Sequence, residues 1–414
     1  MLKDMLEKQP RNRKLAAIAA ILVLLACGER ASAQVPDENY MAGTACLLKG
    51  EYAKASENYT LAITRNNADE RLFIRRGESW LKQKDYDRAA DDFMEANLID
   101  PGVADLWLAR CYALSGDNEK AFTYLTSHLK SPFRIASDSI KKDRAFDLLQ
   151  DSPEWYSTWQ NDWYNEEEKL AAEANYYRRK KQPDQAQQIL SSGMGEYPES
   201  IALFSLRGAV SYDQGNYAAS IADYSRALEI DKAYIPAYRA RGMAYLKAGR
   251  FRDAVNDFNR VLKDDPADFR LYQLRSEAYA GLRSWDPAIK DMLVVLKYFG
   301  EDQDILYRCG ELYYQAGDYI NALKYFNLNL RDDPNNSAYF KSRGKTYLKT
   351  STYRYAVSDL SMSLDLNPDD AETWMFLGLA KIQSGDKENG CSCLDKAQKM
   401  GNAEALKYIV DTCQ

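Results

Sequence analysis

Histidine is almost missing from this chain: His128 is the only one in 414 residues. Catalytic triads, most zinc sites and most proton shuttles use imidazole, so there is little here to run that chemistry. A positive surface is missing as well. The net charge is −6, and because the first 33 residues carry +3, the remainder stands at −9. Phosphate-rich partners demand the opposite sign, which argues against nucleic acid. The one basic cluster, Arg178-Arg179-Lys180-Lys181, closes an expected helix, where it complements the negative helix end. A phosphate-binding loop is lacking too. Gly344-Lys345-Thr346 imitates the end of one, but Tyr339 stands where the earlier glycine is required. What the chain does have is 46% apolar and 28% charged residues, enough for a large core and unlike disordered or collagenous sequences.

The N-terminus reads as an export signal over residues 1–33. Lys8, Arg11, Arg13 and Lys14 precede an apolar run of 13 residues, Leu15 to Cys27, which is short for a spanning helix of about 20. Ala31-Ser32-Ala33 supplies small residues for cleavage before Gln34. Leu24-Leu25-Ala26-Cys27 also resembles the lipobox of bacterial lipoproteins, which would make Cys27 a lipidated N-terminus and the only membrane contact. Both readings place the protein outside the cytoplasm, periplasmic or secreted in the first case and an outer-membrane lipoprotein in the second.

From Glu167 onward the chain divides into frames of 34 residues, with new frames at Ile201, Ile235, Phe269, Gln303, Ser337 and Ala371. Position 8 is Ala174, Gly208, Gly242, Ser276, Gly310, Gly344 and Gly378, small in every frame. Position 20 is likewise small, from Ala186 to Gly390, whereas positions 4 and 24 are always large. Positions 4, 8 and 11 share one helical stripe and 17, 20 and 24 another. Two antiparallel helices would set 4 against 24 and 8 against 20, the small pair letting the backbones approach. Gly215, Gly249, Gly317 and Gly385 at position 15 mark the turn, and Pro198, Pro266, Pro334 and Pro368 at position 32 stop the second helix.

This period and pattern resemble the tetratricopeptide repeat over Glu167 to Glu404. Further frames fit at Pro36 to Asp69 and Glu70 to Val103, and the stretch "DLWLARCYALSGDNEKAF" is a degenerate third. The resemblance implies an all-α, right-handed solenoid of stacked antiparallel helix pairs, about ten repeats in blocks 34–135 and 167–404, with a concave side. A capping helix is expected at 405–414. The ending resembles those of other exported bacterial proteins of this family, and a Cys393–Cys413 disulfide could staple the cap in an oxidising compartment. Cys46, Cys111 and Cys309 read as small core residues.

Repeats can be compared with one another. Arginine at position 7 and aspartate at position 23 occur together in Arg76/Asp92, Arg207/Asp223, Arg241/Asp257, Arg275/Asp291 and Arg343/Asp359. They are lost together in Ala42/Asn58, Glu173/Ile189, Cys309/Tyr325 and Leu377/Cys393. Paired loss implies a salt bridge between the two helices of a repeat.

Residues 136–166 do not fit the frame. Ser152-Pro153 starts a helix, and Trp155, Trp159 and Trp163 follow at intervals of four. Two readings stand: a plug between the blocks, or an aromatic docking patch. A stretch this short forms no catalytic domain, since domains rarely fall below about 50 residues.

In the family resembled, positions 2, 5, 9 and 12 of the first helices line a peptide groove. Carried over, this gives Arg239, Gln273, Tyr307 and Lys341 at position 5, Met243, Glu277, Glu311 and Lys345 at position 9, and Tyr212 and Tyr314 at position 12. The Lys/Asn/Lys/Arg clamp that some relatives use for a C-terminal carboxylate is missing. The expectation is a non-enzymatic scaffold for a protein or peptide, with no cofactor, metal or small-molecule substrate. The alternative is a structural subunit of an envelope assembly.

Overall fold

The computed structural model describes residues 37–413, which form 23 α-helices, one 3-10 segment and no strand. The expected export signal over residues 1–33 and Cys27 lie outside the described residues. Repeats 1 to 3 are α1 (Glu38–Leu48) with α2 (Tyr52–Arg65), α3 (Glu70–Lys82) with α4 (Tyr86–Ile99), and α5 (Asp105–Ser115) with α6 (Asn118–Lys130). The connector holds α7 (Ser137–Lys141), the 3-10 segment Arg144–Leu149 and α8 (Pro153–Gln160). Repeats 4 to 7 are α9 (Glu166–Arg179) with α10 (Pro183–Glu196), α11 (Ile201–Asp213) with α12 (Tyr217–Ile230), α13 (Ile235–Lys247) with α14 (Phe251–Asp264), and α15 (Phe269–Gly281) with α16 (Trp285–Phe299). Repeats 8 to 10 are α17 (Gln303–Ala316) with α18 (Tyr319–Asp332), α19 (Ser337–Lys349) with α20 (Tyr353–Leu366), and α21 (Ala371–Gln383) with α22 (Lys387–Lys399). The cap, α23 (Ala403–Thr412), starts before the end of the last frame because Asn402 caps it, its side chain accepting from the Glu404 and Ala405 amides.

The small residue at position 8 does more than face position 20. A Cβ built on Gly242 would sit 2.7 Å from Phe258 Cε1, and one on Gly77 would sit 2.6 Å from Phe93 Cε1. The large side chain at position 24 therefore lies over the glycine itself, not only opposite position 4. Position 20 is close as well: Ser276 Oγ donates to the Ala288 carbonyl at 2.8 Å. The turn between helices needs positive φ in all ten repeats, and Lys84, Lys181, Arg283 and Ser351 adopt it without glycine.

All five expected Arg–Asp pairs form. Each guanidinium grips its carboxylate through Nε and Nη2 at 2.5–2.9 Å. The same arginines reach one repeat back. Nη1 of Arg76, Arg241, Arg275 and Arg343 donates to Thr60, Ser225, Asn259 and Asn327, all at position 25 of the preceding repeat. The pair is thus a rung between repeats as well as within one. Burial outweighs the Arg241 contact at the Asp257 carboxyl and pushes it up, whereas at Arg241 the hydrogen bond to Asp257 outweighs burial and holds the guanidinium charged. In two of the repeats that lack the pair the space is filled by apolar groups: Cys309 and Tyr325 are buried in repeat 8, as are Leu377 and Cys393 in repeat 10.

That placement corrects the disulfide. Cys413 bonds to Cys391, not to Cys393. Cys393 holds position 23 and faces Leu377 in the repeat's own core, while Cys391, two residues earlier, stands on the side where the cap docks.

The chain also closes on itself. α1 packs on α16, joining repeat 1 to repeat 7. Tyr40 Oη donates to Asp265 at 3.1 Å, Arg71 to the Asp264 carbonyl at 2.8 Å, and Lys49 Nζ to the Tyr298 carbonyl at 2.6 Å. Glu38 pairs with Lys297 at 2.8 Å, and Tyr40, Met41 and Leu72 belong to one apolar cluster with Phe269 and Tyr272.

The Arg–Asp rung generates a direct prediction. Arg241→Ala leaves the buried Asp257 carboxylate unmatched and should cost about 3–5 kcal/mol, and Asp257→Ala, which strands the partly exposed Arg241, should cost less. Replacing both with the residues of repeat 10, Arg241→Leu with Asp257→Cys, should cost under about 1.5 kcal/mol. Hydrogen exchange of the α13 and α14 amides measures the difference, and additive single and double effects would contradict the rung.

Candidate peptide-binding groove

First helices of successive repeats approach one another, α9 with α11, α11 with α13, α13 with α15, and α17 with α19, so these helices line the inner side. Positions 5, 9 and 12 recur on their inner faces because helical spacing returns them to one stripe.

The cations expected at position 5 are not free. Arg239 is paired with Asp268, and Lys341 Nζ lies 2.9 Å from Asp370 and 2.8 Å from Glu372. Asp268 and Asp370 are also the N-caps of the following first helices, accepting from the Leu271 and the Glu372 and Thr373 amides. Each cation therefore clips one repeat to the start of the next. Burial works against the charge on Lys341, but Glu372 and Asp370 outweigh it and hold its pKa up. Burial likewise opposes charge on Glu372, and Lys341 and Lys345 reverse that and hold its carboxyl low. Lys345 Nζ lies 3.4 Å from Glu372, with the Phe376 and Tyr314 rings at 4.9 and 5.8 Å. Sequence reasoning missed this arrangement, although the signal was present: an aspartate at position 34 follows both position-5 cations.

Four of the expected groove residues converge. Gln273 and Glu277 on α15 and Tyr307 and Glu311 on α17 line a cavity of about 370 Å³, with Met292 behind and Arg308 on the same wall. Tyr307 and Ser342 hydroxyls lie 3.1 Å apart, and Ser342 donates to Glu311 at 2.7 Å. Burial raises the Tyr307 pKa and pushes Tyr314 up to about 12, so both phenols stay protonated at neutral pH. Tyr212 stands edge-on to Tyr217 at 5.5 Å, and Met243 is half-buried against the core. A second cavity, about 540 Å³, lies between the connector and repeats 4 and 5, lined by Tyr164, Asn175 and Ser205 among others. Arg134 closes its connector side by a two-pronged contact to Glu168 at 2.9 Å, which the sequence pattern did not reveal.

The three tryptophans do not form an exposed docking patch. Trp155 is buried on Phe146, and Trp159 and Trp163 pack half-buried in the same cluster with α6. α8 ends at Gln160 because Asn161 is extended, so Trp163 leaves the helical stripe and folds back, its Nε1 donating to the Thr158 carbonyl at 2.7 Å. His128 is structural too. It is 3% exposed, its Nε2 accepts from the Ile135 amide at 3.2 Å, and burial pushes its pKa down to about 4.

Residues 208–249 match a family model described as TPR repeat, and residues 239–293 and 371–400 match two models described as tetratricopeptide repeat. Human serine/threonine-protein phosphatase 5 is 34% identical over 55 residues, 13% of this chain and 11% of that enzyme, and the rat protein matches equally. The chain thus spans about a tenth of the length of these curated relatives. Among solved structures, a tetratricopeptide repeat protein from Parabacteroides merdae aligns over 59% of this chain and 98% of its own, at 21% identity and a TM-score of 0.45. The C-terminal part of a TPR repeat-containing protein from Cytophaga hutchinsonii aligns over 57% and 98%, at 15% identity and a TM-score of 0.48.

The buried imidazole makes stability depend on pH. Its folded pKa lies below the ordinary 6.5, so its contribution is complete above pH 6.5 and is lost as pH falls toward about 4. The loss amounts to up to roughly 3 kcal/mol for repeat 3 and the connector. Urea unfolding followed by tryptophan fluorescence at pH 7 and at pH 4 should show that His128→Gln has a smaller acid sensitivity than the parent. Equal sensitivity would contradict the assignment.

Proposed function

Because this chain is a tetratricopeptide repeat protein, we propose that it is a non-enzymatic scaffold holding an extended peptide or protein segment along its first helices. The observation that carries the proposal is the convergence of Gln273, Glu277, Tyr307 and Glu311 on one cavity of the inner face. An aromatic ring, an amide and two carboxylates around an apolar floor suit a peptide: the floor takes aliphatic carbon, and the polar rim sets orientation. A small-molecule reaction would need positioned acid and base groups, whereas the single imidazole is committed to the protein's interior.

We further propose that the scaffold works outside the cytoplasm. The Cys391–Cys413 bond suits an oxidising compartment, and the N-terminal pattern suits export, with Cys27 as the lipid anchor in the lipoprotein variant. The second reading, a permanent subunit of an envelope assembly, has one observation in its favour: Leu61 and Leu98 on the second helices of repeats 1 and 2 are 52% and 77% exposed.

Site-specific photo-crosslinking separates the two. A photoreactive residue at Gln273 should capture a partner from the native envelope, whereas one at Lys290, exposed on α16, should not. Capture at Leu61 or Leu98 alone would favour the subunit reading and contradict the groove.

A further inference from the structure

We infer that the cavity between repeats 7 and 8 is a subsite for one lysine or arginine side chain of the bound segment, received between Glu277 and Glu311; this rests on the groove reading above. Three observations support it.

The first is the balance of charge along the inner face. Arg239, Lys341 and Lys345 are each matched by a carboxylate of this chain. Glu277 and Glu311 are not: among the described residues neither has a lysine or arginine within ion-pair distance, and the contact of Glu311 is the neutral Ser342 hydroxyl. Arg308, exposed on the cavity wall, carries the opposite charge, so the cavity has two carboxylates against one guanidinium. A cationic side chain complements that excess and an anionic one opposes it.

The second is a template inside the same chain. Between repeats 9 and 10, Lys341 lies 2.8 Å and Lys345 3.4 Å from Glu372, and the Phe376 ring stands 4.9 Å from the Lys345 ammonium. Adjacent first helices in this solenoid are therefore spaced to hold an ammonium between a carboxylate on one and side chains on the other. At repeats 7 and 8 the carboxylates occupy position 9 of both helices and Tyr307 lines the same cavity, but among the described residues no lysine of this chain pairs with either. The ammonium has to come from outside.

The third is shape. About 370 Å³ is available, and its walls include Ala280, Met292 and Leu312. A lysine or arginine stem can lie on these apolar atoms with its charged head at the carboxylates. Charge-assisted hydrogen bonds to two carboxylates set selectivity, which a purely aliphatic residue filling the same volume cannot gain.

The test uses the full chain, immobilised, and libraries of nine-residue peptides with random flanks and a fixed centre of lysine, arginine, acetyl-lysine, norleucine or glutamate. Lysine and arginine centres should be retained about tenfold better than norleucine or acetyl-lysine at low salt, and the margin should shrink at high salt. Glu277→Gln with Glu311→Gln should abolish the margin of lysine and arginine over norleucine, and Arg308→Ala should widen it. If the double variant folds poorly by hydrogen exchange, Glu277→Gln alone carries the test, because Glu277 is exposed. Equal retention of lysine and norleucine, or preference for glutamate, overturns the subsite while the groove stands. Failure of every library to bind overturns the groove reading, and the subsite with it.

Discussion

The architecture depends on one contact repeated along the chain: a large side chain at position 24 laid over a small residue at position 8. A Cβ on Gly242 would intrude on Phe258, so the two helices of a repeat meet at one depth and one rotation. That fixes which stripe of the first helix points inward. Everything said of the groove follows from this, because positions 5 and 9 face the inner side only while position 8 faces its partner helix. The Arg–Asp rung adds alignment between repeats but is exchangeable: repeats 8 and 10 replace it with buried Cys309/Tyr325 and Leu377/Cys393.

The frame, the ten helix pairs and the Arg–Asp pairs were legible in the sequence because each is a relation between residues at fixed spacing. What was not legible is instructive. The second reach of Arg241, to Ser225, joins two repeats, and no within-repeat spacing encodes it. Cys393 was the wrong choice for the disulfide although its frame position already pointed inward; the periodicity outweighed any general expectation about a C-terminal staple. Arg239 and Lys341 were read as groove charges from position alone, but Asp268 and Asp370 at the next helix starts bind them. Trp163 left its stripe because α8 stops at Gln160. The return of repeat 1 to repeats 6 and 7 has no local signature: Tyr40 and Asp265 are 225 positions apart.

That long-range contact joins the two blocks physically. Repeats 1 and 2 are anchored on repeats 6 and 7, while Arg110 on Asp143 ties the connector to repeat 3 and Arg134 on Glu168 ties the segment after repeat 3 to repeat 4. The inner face is consequently presented by a braced scaffold, so the residues proposed to bind there would need less ordering if a segment docked. Groove chemistry is then set by subtraction. Cations spent on joining one repeat to the next leave Glu277 and Glu311 in excess over Arg308 in the cavity of repeats 7 and 8.

The central claim is the contact between positions 8 and 24, and a double-mutant cycle on repeat 6 tests it most directly. Gly242→Ala should lower stability by about 1–3 kcal/mol despite the better helix propensity of alanine. Adding Phe258→Leu, which shortens the side chain over it, should make the two effects less than additive by at least about 0.5 kcal/mol. A stabilising Gly242→Ala, or strictly additive effects, would show that the two positions do not meet and would contradict the account.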